Sequence, residues 1–471
     1  MGKISFDVFS ALDGPCLNGM EGRAGVLRMR LTSDEDQLQW EEPAVKYFAG
    51  AFAGHAVQIS PDGTIGFLGG WSETGRFFDP RTLEWLADYR SLDLYDGPRD
   101  VEHRSPTHVV FPPKGDSAWT SGFANRSCIT TAGDYFWELD LSDLPGSVRH
   151  ARPLAAHQLG LPHALKLSAT GRYIFCGAAD YQKGQRIRRI GIFEPRAGRE
   201  GRMQIAHLER TSWHIQTHPT EDIMYAVTEN YEEGDKNYHA SWGDGVTIPV
   251  EGNYLWEVIP STQEHAQPRV RAYGMSMDEP AHLTSDMVVV PNTDGSVNVL
   301  YNACASSTIV MVRLEPDGRE QKAFPRFVEE GVWLFKGPHK AILRPGVLRA
   351  ALRNLQEARW RGNLFTNHGY LRRRAQFVTR NTLVDGSYGL MLSPDNNWLI
   401  SAHRGGNWFL VYKYPEVLSE GAEALAYRIK LPTAQQCLPG HACGAFNGAL
   451  KDNRLGTHHC VVSTATVETV K

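Results

Sequence analysis

One arrangement recurs along this chain: an apolar strand, a tight turn rich in Ser, Pro, Asp and Gly, and a second apolar strand. It appears as HAVQISPDGTIGFLGG from His55, HVVFPPKGDSAWTSG from His108 and HALKLSATGRYIFCG from His163. It returns as HIQTHPTEDIMYAVTE from His214, MVVVPNTDGSVNVLYN from Met287 and YGLMLSPDNNWLISAH from Tyr388. Pro presets one dihedral of such a turn and Gly supplies the left-handed one, so each segment reads as a hairpin. Further short strands follow each hairpin, as in GRFFDP with LEWLADY and NYLWEVIP with RVRAYGM. Four strands per unit is the make-up of a propeller blade. A seventh unit opens at HHCVVSTATV, too near Lys471 to be completed there, and GVLRMRLT from Gly25 with LQWEEP from Leu38 supplies its missing pair. Joining the two termini in one blade removes the exposed sheet edges. The sequence therefore predicts an all-β fold, a seven-bladed β-propeller, as a single domain over 1–471.

A chain of 471 residues exceeds the usual size of one compact core. Stacked repeats escape that bound, since each unit extends the core by packing on its neighbour. Two insertions interrupt the pattern. One runs from Glu232 to Val250. The other, 337–380, follows the fifth blade and carries Leu348, Leu352 and Leu355 at helical spacing behind Pro345. It predicts a small helical cap, made basic by Arg349, Arg353, Arg359, Arg361 and Arg372 to Arg374.

The net charge of −4 predicts no nucleic-acid partner, and no apolar stretch reaches the length of a membrane helix. The first residues carry no basic, then apolar, secretion signal. Seven cysteines, an odd and scattered number, do not form a disulfide framework. These features predict a cytoplasmic protein with reduced thiols. The sequence does not define an oligomeric state.

The first strand of each propeller blade lines the central channel. Counting back from the turns gives His55, His108, His163, His214, Met287, Tyr388 and His458 as one ring. Five of these are histidine in a chain with 18 histidines overall. Neutral imidazole is the commonest ligand for transition metals. A His-only set suits Fe, Cu, Zn or Ni, with Mn a further candidate, and a channel mouth leaves open positions for a substrate. The expected ligands are His108, His163, His214 and His458. His55 is a candidate fifth ligand or acid/base, and Tyr388 a proton donor. The loops after the second strands add Trp71, Phe123, Tyr181, His403 and Arg404 as candidate contacts for a small-molecule substrate. Glu73, Glu102 and Glu229 are candidate acceptors for the second N–H of a ligand histidine. The segment CLPGHAC, with Cys437, His441 and Cys443, lacks the spacing of a zinc site.

The order of His108, His163, His214 and His458 resembles that of carotenoid cleavage oxygenases, seven-bladed propellers that hold a non-haem Fe(II) with four axial histidines. The resemblance implies an Fe(II) oxygenase acting on a small organic substrate at the channel. Oligogalacturonate lyase and related propeller lyases are a second analogue, implying a metal-dependent lyase or isomerase with a histidine base. A non-enzymatic propeller scaffold is the third reading, although the W-D dipeptides common in that class do not occur at the ends of third strands.

Overall fold

The computed structural model describes residues 3–12, 24–34, 36–48, 54–70, 74–90, 103–104, 108–113, 117–121, 123–124, 135–156, 161–179, 181–182, 185–186, 189–196, 201–208, 212, 214–227, 253–274, 284–303, 308–316, 320–323, 327–328, 332–333, 384–385, 387–403, 408–432, 457–463 and 466–468. They form a seven-bladed β-propeller. Six blades are continuous in sequence, each an antiparallel sheet in which the first strand of the chain lies innermost. Their innermost strands begin at Gly54, Val109, Leu161, His214, Thr284 and Ser387. The seventh blade mixes the termini. Its innermost strand is Thr457–Val462, followed outward by Lys3–Leu12, Ala24–Asp34 and Gln37–Trp40.

Seven separate hydrophobic cores hold the ring, one between each pair of neighbouring blades. Blade one meets blade two through Phe67, Phe77, Tyr89, Val109 and Leu139. The closing interface packs Phe9, Val26 and Phe48 of blade seven against Val57, Leu68 and Phe78 of blade one. Phe6, Val8 and Leu31 meet Trp398, Ile400 and Val411 of blade six on the other flank. Seven interfaces for seven blades is the condition for a closed ring, since an open arc would leave one face bare. The termini are also joined by hydrogen bonds. Val8, Phe9 and Ser10 pair with Val462, Val461 and Cys460. The Asp7 N–H donates to Ser463 Oγ at 2.9 Å, and the Ser463 N–H donates to the Asp7 carbonyl at 2.8 Å.

The hairpin turns explain why these residues form these strands. Gly63, Gly171 and Gly295 have φ of 69°, 72° and 82°, and Asn396 has φ of 59° at the corresponding place in SPDN. A side chain costs most in this left-handed region, and Gly and Asn tolerate it best. Each turn has an anchor whose N–H closes the loop: Ser60 to the Ile65 carbonyl, Ser168 to Tyr173, His218 to Ile223, and Ser393 to Trp398. Ser60 Oγ accepts the Ile65 N–H and Ser393 Oγ the Trp398 N–H, both at 2.9 Å. In blade four, His218 takes this part: its Nδ1 accepts the N–H groups of Thr220 and Glu221.

Two expectations are extended here. Among the described residues the N-terminus contributes four strands to the seventh blade rather than two: Lys3–Leu12 lies directly against the closing strand, and Ala44–Phe48 pairs with Ala24–Asp34 beside Gln37–Trp40. The described helix lies in blade six, as Val417–Glu420 continued by a 3-10 turn over Gly421–Ala424. The expected helical cap at 337–380 and the 232–250 insertion fall outside the described residues. A small ladder pairs Val332–Trp333 with Val384–Asp385. Among the described residues no helix is long and apolar enough to cross a membrane.

Candidate functional site in the axial channel

The innermost strands enclose a cavity of about 160 Å³ on the ring axis. A water needs about 10–15 Å³ of such space, so the cavity has room for a small organic molecule. Its walls are Val57 and Ile59 of blade one, Val110 and Phe111 of blade two, and Leu165 and Leu167 of blade three. Its polar lining is Gln58, His108, Lys166, His214 and Asp286, with Cys460 from the closing strand. Among the described residues no lining residue comes from blade six. A mostly apolar concavity with a few convergent polar groups is the usual form of a small-molecule site.

The strand register shows how the histidines are arranged. Gln58↔Phe67, Val110↔Trp119, Lys166↔Phe175 and Gln216↔Tyr225 are the same cross-strand pair in blades one to four. Two residues before these references stand Ala56, His108, Ala164 and His214. His55 and His163 come one residue earlier. Counting from Ser463 puts His458 at that earlier position too. The expected single ring is therefore split. The ladders slip at the earlier position, between Gly54 and Ala56, Pro162 and Ala164, and Ser387 and Gly389, so that His55, His163 and Tyr388 fall at the register shifts. A bulge of this kind bends a strand and re-aims what it carries. The first strand of the blade-five hairpin runs two residues further before its turn, with its slip between Thr284 and Asp286. Asp286, rather than Met287, thus stands level with His108 and His214.

His108 and His214 line the same cavity from blades two and four. His108 is buried, at 6% exposure. Hydroxyls pin both backbones: Thr120 Oγ1 donates to the His108 carbonyl and Ser212 Oγ to the His214 carbonyl, each at 3.1 Å. The Asp286 carboxylate is held by the N–H groups of Met287 at 3.0 Å and of Leu390 at 3.4 Å. Burial pushes the Cys460 thiol well above its ordinary value, with a smaller push from the Asp286 charge and an opposing hydrogen bond from Ser10. Cys460 is thus a neutral wall group rather than a nucleophile, since reactivity needs the thiolate.

The other candidates are dispersed. Tyr388 is buried on the innermost strand of blade six, at 5% exposure. His403 is fully buried, its ring 5.7 Å from that of Trp408. Phe123 lies in a two-residue strand paired with His103–Arg104, and Tyr181 in one paired with Gln185–Arg186. Trp71, Glu73, Glu102, Glu229, Arg404 and the 437–443 segment fall outside the described residues. The register-based reading missed Gln58, Lys166 and Asp286. Among the described residues no three His, Cys, Asp or Glu side chains group as a metal centre requires. The side chains of the other two expected ligands, His163 and His458, fall outside the described residues, and the carboxylate beside His108 and His214 serves two main-chain donors.

No family model matches the chain, and none of the curated proteins does. The fold matches solved structures over nearly the whole length. One is a 6-phosphogluconolactonase-like protein of Bacteroides fragilis, with a TM-score of 0.51, 9% identity and 98% of each chain covered. Another is the periplasmic gluconolactonase of Pseudomonas aeruginosa, with a TM-score of 0.51, 11% identity, and 97% of this chain and 99% of that one covered. At such identities the likeness establishes the propeller and nothing finer. Two expectations are corrected. The resemblance to carotenoid cleavage oxygenases finds no support among these structures, and the histidine quartet occupies two register positions. The cytoplasmic assignment is also withdrawn: the same architecture serves a periplasmic enzyme, so the fold assigns no compartment.

Proposed function

We propose that this propeller is an enzyme acting on a small polar substrate in its axial cavity, with His108 and His214 performing acid–base chemistry. The observation that carries this reading is two imidazoles from different blades opening into one partly apolar cavity. Imidazole exchanges protons near neutral pH, and two of them reaching one bound substrate from different blades can serve as base and acid. Asp286, fixed by main-chain donors, supplies the negative charge that favours an imidazolium during turnover. Hydrolysis of an ester or lactone is the reaction class this arrangement serves most directly, with one histidine activating water and the other protonating the leaving oxygen.

The test is turnover against a panel of small esters, sugar lactones and hydroxy acids, followed by pH–rate profiles. His214→Asn keeps a polar group of similar shape and is expected to lower kcat by about 10²–10⁴-fold, the usual worth of a general acid or base. Unchanged kcat in both His214→Asn and His108→Asn would remove this reading.

A metal-dependent lyase or oxygenase is the second reading. It is favoured by the backbone of His55, His163 and His458 lying on the same innermost strands as the cavity lining. It requires at least one of these imidazoles to join His108 and His214 around Fe, Mn, Cu or Zn. Titrating the purified chain with each ion separates the readings, because acid–base hydrolysis survives chelation and metal-dependent turnover does not.

A further inference from the structure

Resting on the reading of the cavity as a substrate site, we infer that the substrate is an anion, a carboxylate or phosphate, held by Lys166. Lys166 occupies the register position that blades one and four give to glutamine. In those blades the amide is spent on the ring itself: Gln58 Oε1 accepts the Val109 N–H at 3.4 Å, and Gln216 Nε2 donates to the Met287 carbonyl at 3.0 Å. Each ties its blade to the innermost strand of the next. Blade three breaks this pattern by placing an ammonium there. Among the described residues Lys166 makes no ion pair or hydrogen bond, although it is half-buried and lines the cavity.

A lysine in a partly apolar cavity costs desolvation energy unless an opposite charge compensates it. The carboxylate available in the lining is Asp286, two blades away, and both of its oxygens accept main-chain N–H groups. The cavity thus contains a cation whose counter-charge is not supplied by the described residues, beside imidazoles able to donate hydrogen bonds. A bound anion completes that balance. The site's size restricts the ligand to a few carbon atoms or a single phosphate group.

Calorimetric titration of the full chain with inorganic phosphate, with malonate and with uncharged glycerol tests the inference. Phosphate or malonate is expected to bind, more weakly as salt is raised, while glycerol does not. Lys166→Met should lower the anion affinity about ten- to a hundredfold, the worth of one charge-assisted hydrogen bond. Lys166→Arg should retain most of it, and circular dichroism checks that both variants fold. Tighter binding of phosphate than of malonate identifies a phosphate ester, and the reverse order a carboxylate. Anion affinity unchanged in a folded Lys166→Met, binding of glycerol as tight as that of malonate, or no anion binding would each overturn the inference. If anions bind through Lys166 but His108 and His214 variants keep full turnover, the acid–base reading fails and the anion site stands.

Discussion

Ring closure can be broken at one hydrogen bond. Trp398 of blade six and Ser33 of blade seven lie 365 residues apart in sequence, yet the indole Nε1 donates to Ser33 Oγ at 2.9 Å. Both are buried, at 1% and 2% exposure. Ser33→Ala strands the indole N–H in an apolar interface, which costs about 1–3 kcal/mol. Trp398→Phe strands the hydroxyl instead and also removes ring area packed against Tyr427, 5.6 Å away. It therefore costs more than the serine variant. The double variant leaves neither partner behind, so its cost should fall short of the sum of the single costs by about 1 kcal/mol. Urea unfolding followed by circular dichroism measures all three. Additivity to within about 0.3 kcal/mol would mean that the two blades do not meet through these residues, and the closed ring with a shared terminal blade would be refuted.

Other consequences are as direct. His218 accepts two N–H groups through Nδ1, and burial holds its pKa below the ordinary value near 6.5. Its contribution to stability is complete above about pH 6.5 and fades as pH falls towards the lowered folded value; His218→Ser should abolish that slope in pH-dependent melting while keeping the turn. Gly63→Ala has open space for its Cβ and meets only the left-handed backbone penalty, about 1–2 kcal/mol by urea titration, whereas Asn396→Gly should be close to neutral. Gly66→Ala drives a methyl to within 2.5 Å of the Phe78 ring at the closing interface, and a loss of about 1–3 kcal/mol is expected; stability equal to the parent would show that this interface is looser than described.

The hairpins were legible in the sequence because their turns have dihedral requirements that few residues meet. Lys3–Leu12 was not, since nothing like SPDG precedes or follows it and its partner lies at the other end of the chain. The channel histidines were half legible. Starting each count on a histidine aligns residue types, whereas the strands are aligned by the turn anchor. Five residues before Ser60, Ser168 and Ser463 stand His55, His163 and His458, but five before His218 stands Trp213. That offset could have been read from the sequence. The bulges and the longer first strand of the blade-five hairpin could not, because they depend on how the second strand pairs. They hid Asp286 behind the more conspicuous Met287.

The distribution of polarity about the axis is the strongest argument that the channel serves a function. A purely structural channel has the same problem in every blade: an innermost strand with one edge of its backbone unpaired. Symmetric solutions would then recur around the ring. Among the described residues blade six gives the cavity no lining residue and blade five gives it Asp286. Blades one to four instead place Gln58, His108, Lys166 and His214 around the cavity. Holding imidazoles and an ammonium in a cavity walled partly by valine and leucine costs desolvation energy without a gain in packing. Such asymmetry is retained where a ligand compensates it. Replacing His108, Lys166 and His214 together by Ala, Met and Ala should therefore leave the ring as stable as the parent while abolishing ligand binding. A large loss of melting temperature would instead make these residues part of the scaffold.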